Sequence, residues 1–384
     1  MNTKKFAALA AGVALALGLA ACSGSGAGSA SAGSSEKAAG GLIGVSMPTQ
    51  TSSRWIADGK AVEAGLKAAG YQVSLQYAGD DIPTQSQQVD QMITQGAKLL
   101  IIAAIDGTAL SSQLQAAADK GIKVIAYDRL IRDSKNVDFY VTFDNYKVGV
   151  QQATSLLVGL GLLKADGSKG AATGPFNVEL FAGSLDDNNA HFFYKGAIDT
   201  LQPYFDDGTL VVPSGQMDIE QTNILRWLQE TAQRRMEDLL TASYSDGTPL
   251  AGVLSPYDGL SRGIITALQN SPGIAGDTIA TGLPIVTGQD AEIASVKLIV
   301  DGVQFASIFK DTRKLADQAV IVTQAFLEGK TPEANDTETY DNGVEVVPSF
   351  LLPIDIVYAD TVTSLLVDSG YWTAEEVASG VAAG

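Results

Sequence analysis

The sequence predicts an α/β protein built from two doubly wound lobes, each a parallel sheet covered by helices on both faces. Three observations predict it. Short apolar runs alternate with stretches of helical period about ten times along the chain. The alternation pauses once, in the glycine-rich residues 164–175, and then restarts, which divides the chain into two halves. The apolar runs also end abruptly in charged or amide side chains, and the carboxyl edge of an open parallel sheet is where ligands bind. A chain of 384 residues is long enough for two domains of ordinary size, and 46% hydrophobic residues can fill their cores.

The first residues read as an address rather than as part of the fold. Lys4 and Lys5 precede an apolar stretch over 6–21 that is short for a membrane span. The stretch closes in Leu19-Ala20-Ala21-Cys22, which resembles a bacterial lipobox: small residues suit the peptidase, and the only cysteine of the chain takes the lipid. Residues 1–22 are therefore expected to be a lipoprotein signal peptide. Residues 23–41, almost all Ser, Gly and Ala, are expected to be a flexible tether. The expectation is an extracytoplasmic protein, lipid-anchored to the outer face of the cell membrane or held in the periplasm. No later stretch is long and apolar enough to span a bilayer.

The elements then follow in order. Residues 42–45 form a first buried strand, and 54–69 a helix stopped by Gly70. Residues 73–77 are a strand. Thr84 caps a helix running to Gln95, with Val89, Met92 and Ile93 on one face and Gly96 ending it. The strand at 99–103, the helix at 110–120 ended by Gly121, and the strand at 123–127 continue the rhythm. A strand at 139–143 runs through Asp144-Asn145 into a helix over 148–160. The second half repeats the unit, with strands at 178–181, 210–212, 253–254, 285–287 and 306–309. Its helices reach residue 198 and cover 224–240, 261–269 and 293–300.

Polar residues gather at the expected carboxyl ends. Asp128 and Arg129 follow the 123–127 strand; Asp187, Asn189, Tyr257, Asp258, Asp290 and Lys310 follow later strands; Arg54 and Trp55 open the first helix on the same edge. Carboxylates supply acceptors and Arg supplies a fixed fork of donors, which suits a neutral polyhydroxylated ligand. For Asp128-Arg129 alone, a structural ion pair at a strand end explains the residues equally well. For the whole set that explanation is weaker, because buried charges at repeated strand ends are costly unless used. Trp55, Phe193, Trp227 and Tyr257 are candidate planes for the C–H face of a ring, and core packing is the plainer explanation of any single one.

Composition excludes other chemistries. The formal charge of −18 repels nucleic acid and anionic lipid. One Cys and one His exclude a disulfide framework, a Cys-rich zinc site and most Ser-His-Asp chemistry, so no cofactor or metal is expected. His191 has no partner triad. Asp186 and Asp187, adjacent in sequence, point in different directions and do not flank a bond as glycosidase carboxylates must. No enzyme is expected.

Several stretches together carry a resemblance: Arg54-Trp55, VIAYDRLI over 124–131, TFDN over 142–145, GSLDDNNA over 183–190, SPYDG over 255–259, GQDA over 288–291 and IFKDT over 308–312. Through them the chain resembles the type I periplasmic binding proteins, the sugar-binding proteins of ABC importers, and most closely their multiple-monosaccharide-binding and xylose-binding branch. The resemblance implies two lobes joined by a three-segment hinge, with sugar held between them. The first lobe would be 42–144 plus 311–347 and the second 145–310 plus 348–384, with crossings near Asp144-Asn145, Asp311 and Pro348-Ser349. It implies that Arg54, Trp55, Asp128 and Arg129 reach the sugar from the first lobe. Asp187, Asn189, Tyr257, Asp258, Asp290 and Lys310 would reach it from the second lobe or the hinge, and Trp227 would stack on the ring. Tyr257 stands where the xylose-binding branch has Asn, which favours the multiple-sugar branch. The implied ligand is an aldopentose or aldohexose such as xylose, glucose, galactose or arabinose. The implied partner is an ABC permease, served by a monomer that meets the membrane only through its lipid. The alternative is a sugar sensor that docks on a receptor kinase or chemoreceptor.

Overall fold

The computed structural model describes residues 40–383. The expected signal peptide, Cys22 and all but the end of the tether lie outside the described residues. The strand β1 (Gly40–Met47) begins two residues inside the segment read as tether and pairs in parallel with β2 (Tyr71–Tyr77). With β3 (Leu99–Ile102), β4 (Lys123–Tyr127) and β5 (Phe139–Phe143) they form most of a six-stranded parallel sheet.

Both faces of that sheet are buried, which is why β3 reads as an unbroken apolar run. Leu99 and Ile101 pack with β1 side chains under helix α1 (Ser53–Ala68), while Leu100 and Ile102 pack on the other face with α2 (Ile82–Thr94) and α3 (Ser111–Asp119). Each fully buried Leu or Ile contributes about 1.5–3 kcal/mol. The cap of α2 is Asp81 rather than the expected Thr84: the Asp81 carboxylate accepts from the Thr84 N–H at 2.8 Å. Pro83 lies in the first turn, where its missing N–H costs nothing.

After β5 the chain enters α4 (Asn145–Gly159), capped by Asp144, and builds a second parallel sheet from β6 (Phe176–Leu180), β7 (Leu210–Val211), β8 (Gly252–Leu254) and β9 (Ile285–Val286) in the order β7-β6-β8-β9. Helices α4 and α5 (Asn188–Asp206) cover one face. They cross on two glycines: a Cβ on Gly149 would lie 2.0 Å from the Phe193 carbonyl oxygen, and one on Gly196 would lie 2.1 Å from that of Tyr146. The short α6 (Ile219–Thr222) precedes α7 (Gln229–Ser243), which covers the other face with α8 (Asp258–Gln269).

Three expectations are corrected. The helix expected over 224–240 is broken, because Arg226 and Trp227 adopt positive φ of 59° and 55° in a 3-10 turn before α7 begins. The strand expected over 306–309, β10 (Ser307–Phe309), follows α9 (Ile293–Val300) and meets the parallel sheet through one bridge, Ile308 to Gln289, while its ladder is an antiparallel one with β12 (Asp355–Val357). The last crossing, expected near Pro348-Ser349, falls later. After α10 (Thr312–Leu327), which packs on the first sheet, β11 (Ser349–Leu352) pairs in parallel with β5 and completes that sheet at its edge. The chain leaves for β12 only through Pro353, which cannot donate to a ladder. The helix α11 (Ala374–Ser379) closes the described chain. Among the described residues no helix is long and apolar enough to cross a membrane.

Candidate functional site

The carboxyl ends of the strands and the N-terminal turn of α1 line one cleft of about 260 Å³. Ten of the eleven expected site residues line it: Arg54, Trp55, Asp128, Arg129, Asp187, Asn189, Trp227, Tyr257, Asp290 and Lys310. Asp258 does not. It is fully buried behind the cleft wall, where it accepts from the Glu292 N–H, Gln304 Nε2 and Ser307 Oγ at 2.8–2.9 Å. Tyr257 is the N-cap of α8 and lines the cleft, whereas Asp258 begins the helix and turns back into the lobe.

The turn after β4 is held rigidly. Asp128 has φ of 61°, a left-handed conformation that costs energy in a residue with a Cβ. Its carbonyl oxygen accepts from Tyr140 Oη at 2.6 Å, Thr142 Oγ1 at 2.9 Å and Asn189 Nδ2 at 2.8 Å. Three donors on one oxygen over-determine the turn and aim the Asp128 carboxylate into the cleft. Asn189 is thereby a tie between β4 and α5, and its Oδ1 also accepts from Asn145 Nδ2 at 3.0 Å. Asp290 repeats the device at the end of the second sheet with φ of 92°.

Every cation of the cleft floor has a carboxylate beside it. Arg54 donates through Nε to Asp58 at 2.9 Å and through Nη2 to Asp128, and its Nη1 lies 3.8 Å from Asp290. Lys310 Nζ sits 2.9 Å from Asp290 and 3.9 Å from Asp128. Arg129 Nε is 3.1 Å from Asp187, and its Nη1 donates to the Ala104 carbonyl. Both guanidiniums lie over the Trp55 ring, at 4.6 and 5.1 Å from its centre, so Trp55 supports the arginines. Burial pushes the Asp128 carboxyl up, but Arg54 and Lys310 outweigh it and hold the group below the usual range. For Asp187 burial wins over Arg129, and the carboxyl is raised.

Aromatic rings form the opposite wall. Trp227 meets Phe193 and Tyr257 edge-on, at ring separations of 6.3 and 6.1 Å. Gly183 makes room for it: a Cβ there would lie 1.9 Å from the indole Cη2. Four buried polar atoms on cleft-lining residues have no hydrogen-bond partner among the described residues: Arg129 Nε and Asp290 Oδ1, which have only an opposite charge nearby, and the Trp227 indole N–H and the Gln289 amide oxygen, which have none. A donor and an acceptor left open in a buried wall are costly unless a ligand satisfies them.

Several contributors escaped the sequence reading. Asp58 follows Arg54 by one helical turn, a spacing that announces an ion pair. Arg226, paired to Asp186, also lines the cleft, as does Gln289 beside the expected Asp290. Glu292 binds Ser52 Oγ, Tyr257 Oη and Arg262 at 2.6–2.9 Å, and no local pattern reveals it. Among the described residues no group of three or more His, Cys, Asp or Glu is placed to hold a metal ion.

Two parallel-sheet lobes with their carboxyl edges facing one polar cleft define a two-lobed binding protein, and residues 43–331 match the periplasmic binding protein domain. The chain belongs to this family, within its multiple-sugar and xylose-binding branch. It is 56% identical over 337 residues to the multiple sugar-binding periplasmic receptor ChvE of Rhizobium radiobacter, covering 88% of this chain and 92% of the relative. It is 51% identical to the multiple sugar-binding periplasmic protein SbpA of Azospirillum brasilense, covering 86% and 89%. Among solved structures it is similar to an ABC transporter solute-binding protein of Clostridium phytofermentans with bound β-D-glucose. That likeness has a TM-score of 0.80 and 46% identity, and covers 88% of this chain and 99% of the other.

Proposed function

We propose that this protein captures a monosaccharide, an aldopentose or aldohexose, in the cleft and delivers it to an ABC permease. The observation that carries the reading is the pairing of charges around open hydrogen-bonding atoms. Arg54, Arg129 and Lys310 each face a carboxylate, so these cations offer donors beside acceptors rather than a free positive charge that would demand an anion. Sugar hydroxyls are both donors and acceptors and fit such a floor; the aromatic wall fits the C–H face of the ring. The open donor of Trp227 and open acceptor of Gln289 are two further places for hydroxyls. The relatives named as multiple sugar-binding and the glucose-bound structure support the same ligand class.

The proposed site residues are the ten that line the cleft, with Gln289 added. The proposed lobes meet through crossings at Asp144, Lys310-Asp311 and Pro353. Sugar bridging both lobes stabilises the closed form through contacts that the open form lacks, and that difference shifts the population. The closed monomer then docks on the permease. Cys22 carries the lipid, and residues 23–39 tether the domain near its partner, which raises the effective concentration. The relative from Rhizobium radiobacter is called a receptor, which favours a second use of the same closed form, docking on a sensor. The proposed role is that of a carrier, which binds the sugar and releases it unchanged, in keeping with the binding-protein family to which the chain belongs.

The test is thermal shift and calorimetry of the protein from Ser23 onward with a panel of aldopentoses, aldohexoses, ketoses and disaccharides. A ligand that binds only the folded state raises the melting temperature. Rises with several aldoses support the reading; silence across the panel overturns it. Mass spectrometry of the membrane fraction checks for a diacylglycerol on Cys22.

A further inference from the structure

We infer that Asp58 is a positioning residue of the sugar site, which with Tyr127 grips the Nε edge of Arg54 and thereby turns its two Nη groups toward Asp128, Asp290 and the cleft. The inference rests on the sugar reading above, because it gives Arg54 its task.

Asp58 itself does not line the cleft; it is fully buried one turn along α1. Its Oδ2 accepts from Arg54 Nε at 2.9 Å, and its Oδ1 accepts from the Tyr127 hydroxyl at the end of β4. A guanidinium is a rigid fork, so fixing the Nε edge fixes the plane and the direction of both Nη groups. Without that grip, the Arg54 side chain keeps the Trp55 ring beneath it and two carboxylates, Asp128 and Asp290, both on the cleft side, and turns toward them into the cleft. Tyr127 holds the other oxygen of the carboxylate, so Asp58 has no freedom to follow.

The charged and titratable groups facing Asp58 come from every side. They are Arg54 on its own helix, Tyr77 on β2, Tyr127 and Asp128 on and after β4, and more distantly Tyr371. Burial disfavours the charge on Asp58 more strongly than Arg54 and Tyr127 favour it, and the carboxyl is pushed up to about 6. Above that pH the carboxylate accepts from Arg54; below it, a proton competes for the same oxygens.

The experiment compares the wild-type chain with Asp58→Asn. The first readout needs no ligand. The chain has three tryptophans, and Trp227→Phe with Trp372→Phe leaves Trp55, on whose ring Arg54 lies, as the only emitter. Its fluorescence should titrate with a midpoint near 6 when Asp58 is present and lose that transition in Asp58→Asn. The second readout is glucose affinity by calorimetry in the chain with all tryptophans intact. Asp58→Asn should bind about tenfold more weakly at pH 7.5. As the pH drops through 6, wild-type affinity should fall toward that of the variant, so that the ratio between the two closes; Asp187, raised in both chains, acts on both alike. The ligand-free melting temperature of Asp58→Asn at pH 7.5 should not drop, since a buried charge has been removed. A Trp55 signal that ignores Asp58, affinity within about twofold of wild type, or affinity and melting temperature falling together would each overturn the inference. A wild-type protein silent toward every sugar overturns the sugar reading instead, and the Trp55 titration then still decides whether Asp58 holds Arg54.

Discussion

Ser52 and Glu292, 240 residues apart, share a hydrogen bond: the Ser52 hydroxyl donates to Glu292 Oε1 at 2.8 Å. Ser52 is the N-cap of α1 beside the first sheet, and Glu292 the N-cap of α9 beside the second, so the bond joins the halves at the rim of the cleft. Glu292 also accepts from Tyr257 Oη at 2.9 Å and pairs with Arg262 at 2.6 Å, so the bond ties Ser52 to an aromatic wall residue. Ser52→Ala removes it and leaves the rest of the cluster paired. A hydrogen bond to a charged group is worth about 1.5 kcal/mol at the low end, so sugar affinity should fall roughly tenfold. The ligand-free melting temperature should barely change. Calorimetry at neutral pH checks this, and an unchanged affinity would remove the bond from the closing contacts.

Arg129→Ala should be more severe. Arg129 is the charge partner of Asp187, whose carboxyl burial already raises, and it also donates to the Ala104 carbonyl. Removing one member of a buried pair leaves an uncompensated charge, at a cost of about 3–5 kcal/mol. Part of that appears as lost stability and part as lost sugar binding. Arg129→Lys should restore stability better than affinity, because an ammonium replaces the charge and not the fork. Denaturant unfolding and calorimetry on both variants separate the two effects.

The parallel sheets were legible because their strands are buried on both faces. Leu99 to Ile102 sends alternate side chains into two cores, which makes a continuous apolar run. The polar strand ends were legible for the converse reason: a charge directly after such a run, as at Asp128 and Lys310, is not core, and both residues line the cleft. What stayed hidden was nonlocal or conformational. Nothing in the residue types of Arg226 and Trp227 announces two successive left-handed conformations, since neither is Gly or Asn. Asp258 shares a motif with Tyr257, yet one step from N-cap to first helical residue carries it from the cleft to the interior. Ser52 and Glu292 meet only through the fold.

Gly183 should prove as important to the aromatic wall as Trp227 itself. A Cβ at 183 would sit 1.9 Å from Cη2 and 2.2 Å from Cζ2 of the indole, far inside any van der Waals contact. The segment carrying Trp227 cannot retreat freely: the Ile224 N–H donates to the Gly183 carbonyl and the Arg226 N–H to Ser184 Oγ at 2.8 Å. Gly183→Ala should therefore push the ring into the cleft, weaken sugar binding by about a hundredfold or more, and change tryptophan emission before ligand is added. Trp227→Phe, which keeps a plane but loses area and the indole N–H, should cost less, about tenfold. If Gly183→Ala binds sugar like wild type, the indole does not define the wall of the site.

Asp258 governs how stability responds to pH. Burial, reinforced by the neighbouring charge of Glu292, pushes its carboxyl from the ordinary range up to about 8. A carboxyl raised in the folded state binds a proton there that the unfolded chain has already released, so the folded state binds more protons between about pH 4 and 8. Stability from this group is fully present below its unfolded value and is lost as the pH rises through 8. Asp58, raised to about 6, acts with the same sign and finishes earlier. Asp128 and Asp311, both lowered, titrate only under acid conditions and add no slope above pH 5. The ligand-free protein should therefore melt at progressively lower temperature from pH 5 to pH 9, with the part between 7 and 9 belonging to Asp258. Asp258→Asn should flatten that part while leaving the sugar preference order unchanged, since the side chain faces Gln304 and Ser307 rather than the cleft. Scanning calorimetry of both chains across that range checks it; a melting temperature that rises from pH 7 to pH 9, or a slope the variant retains, would show that the proton sits elsewhere.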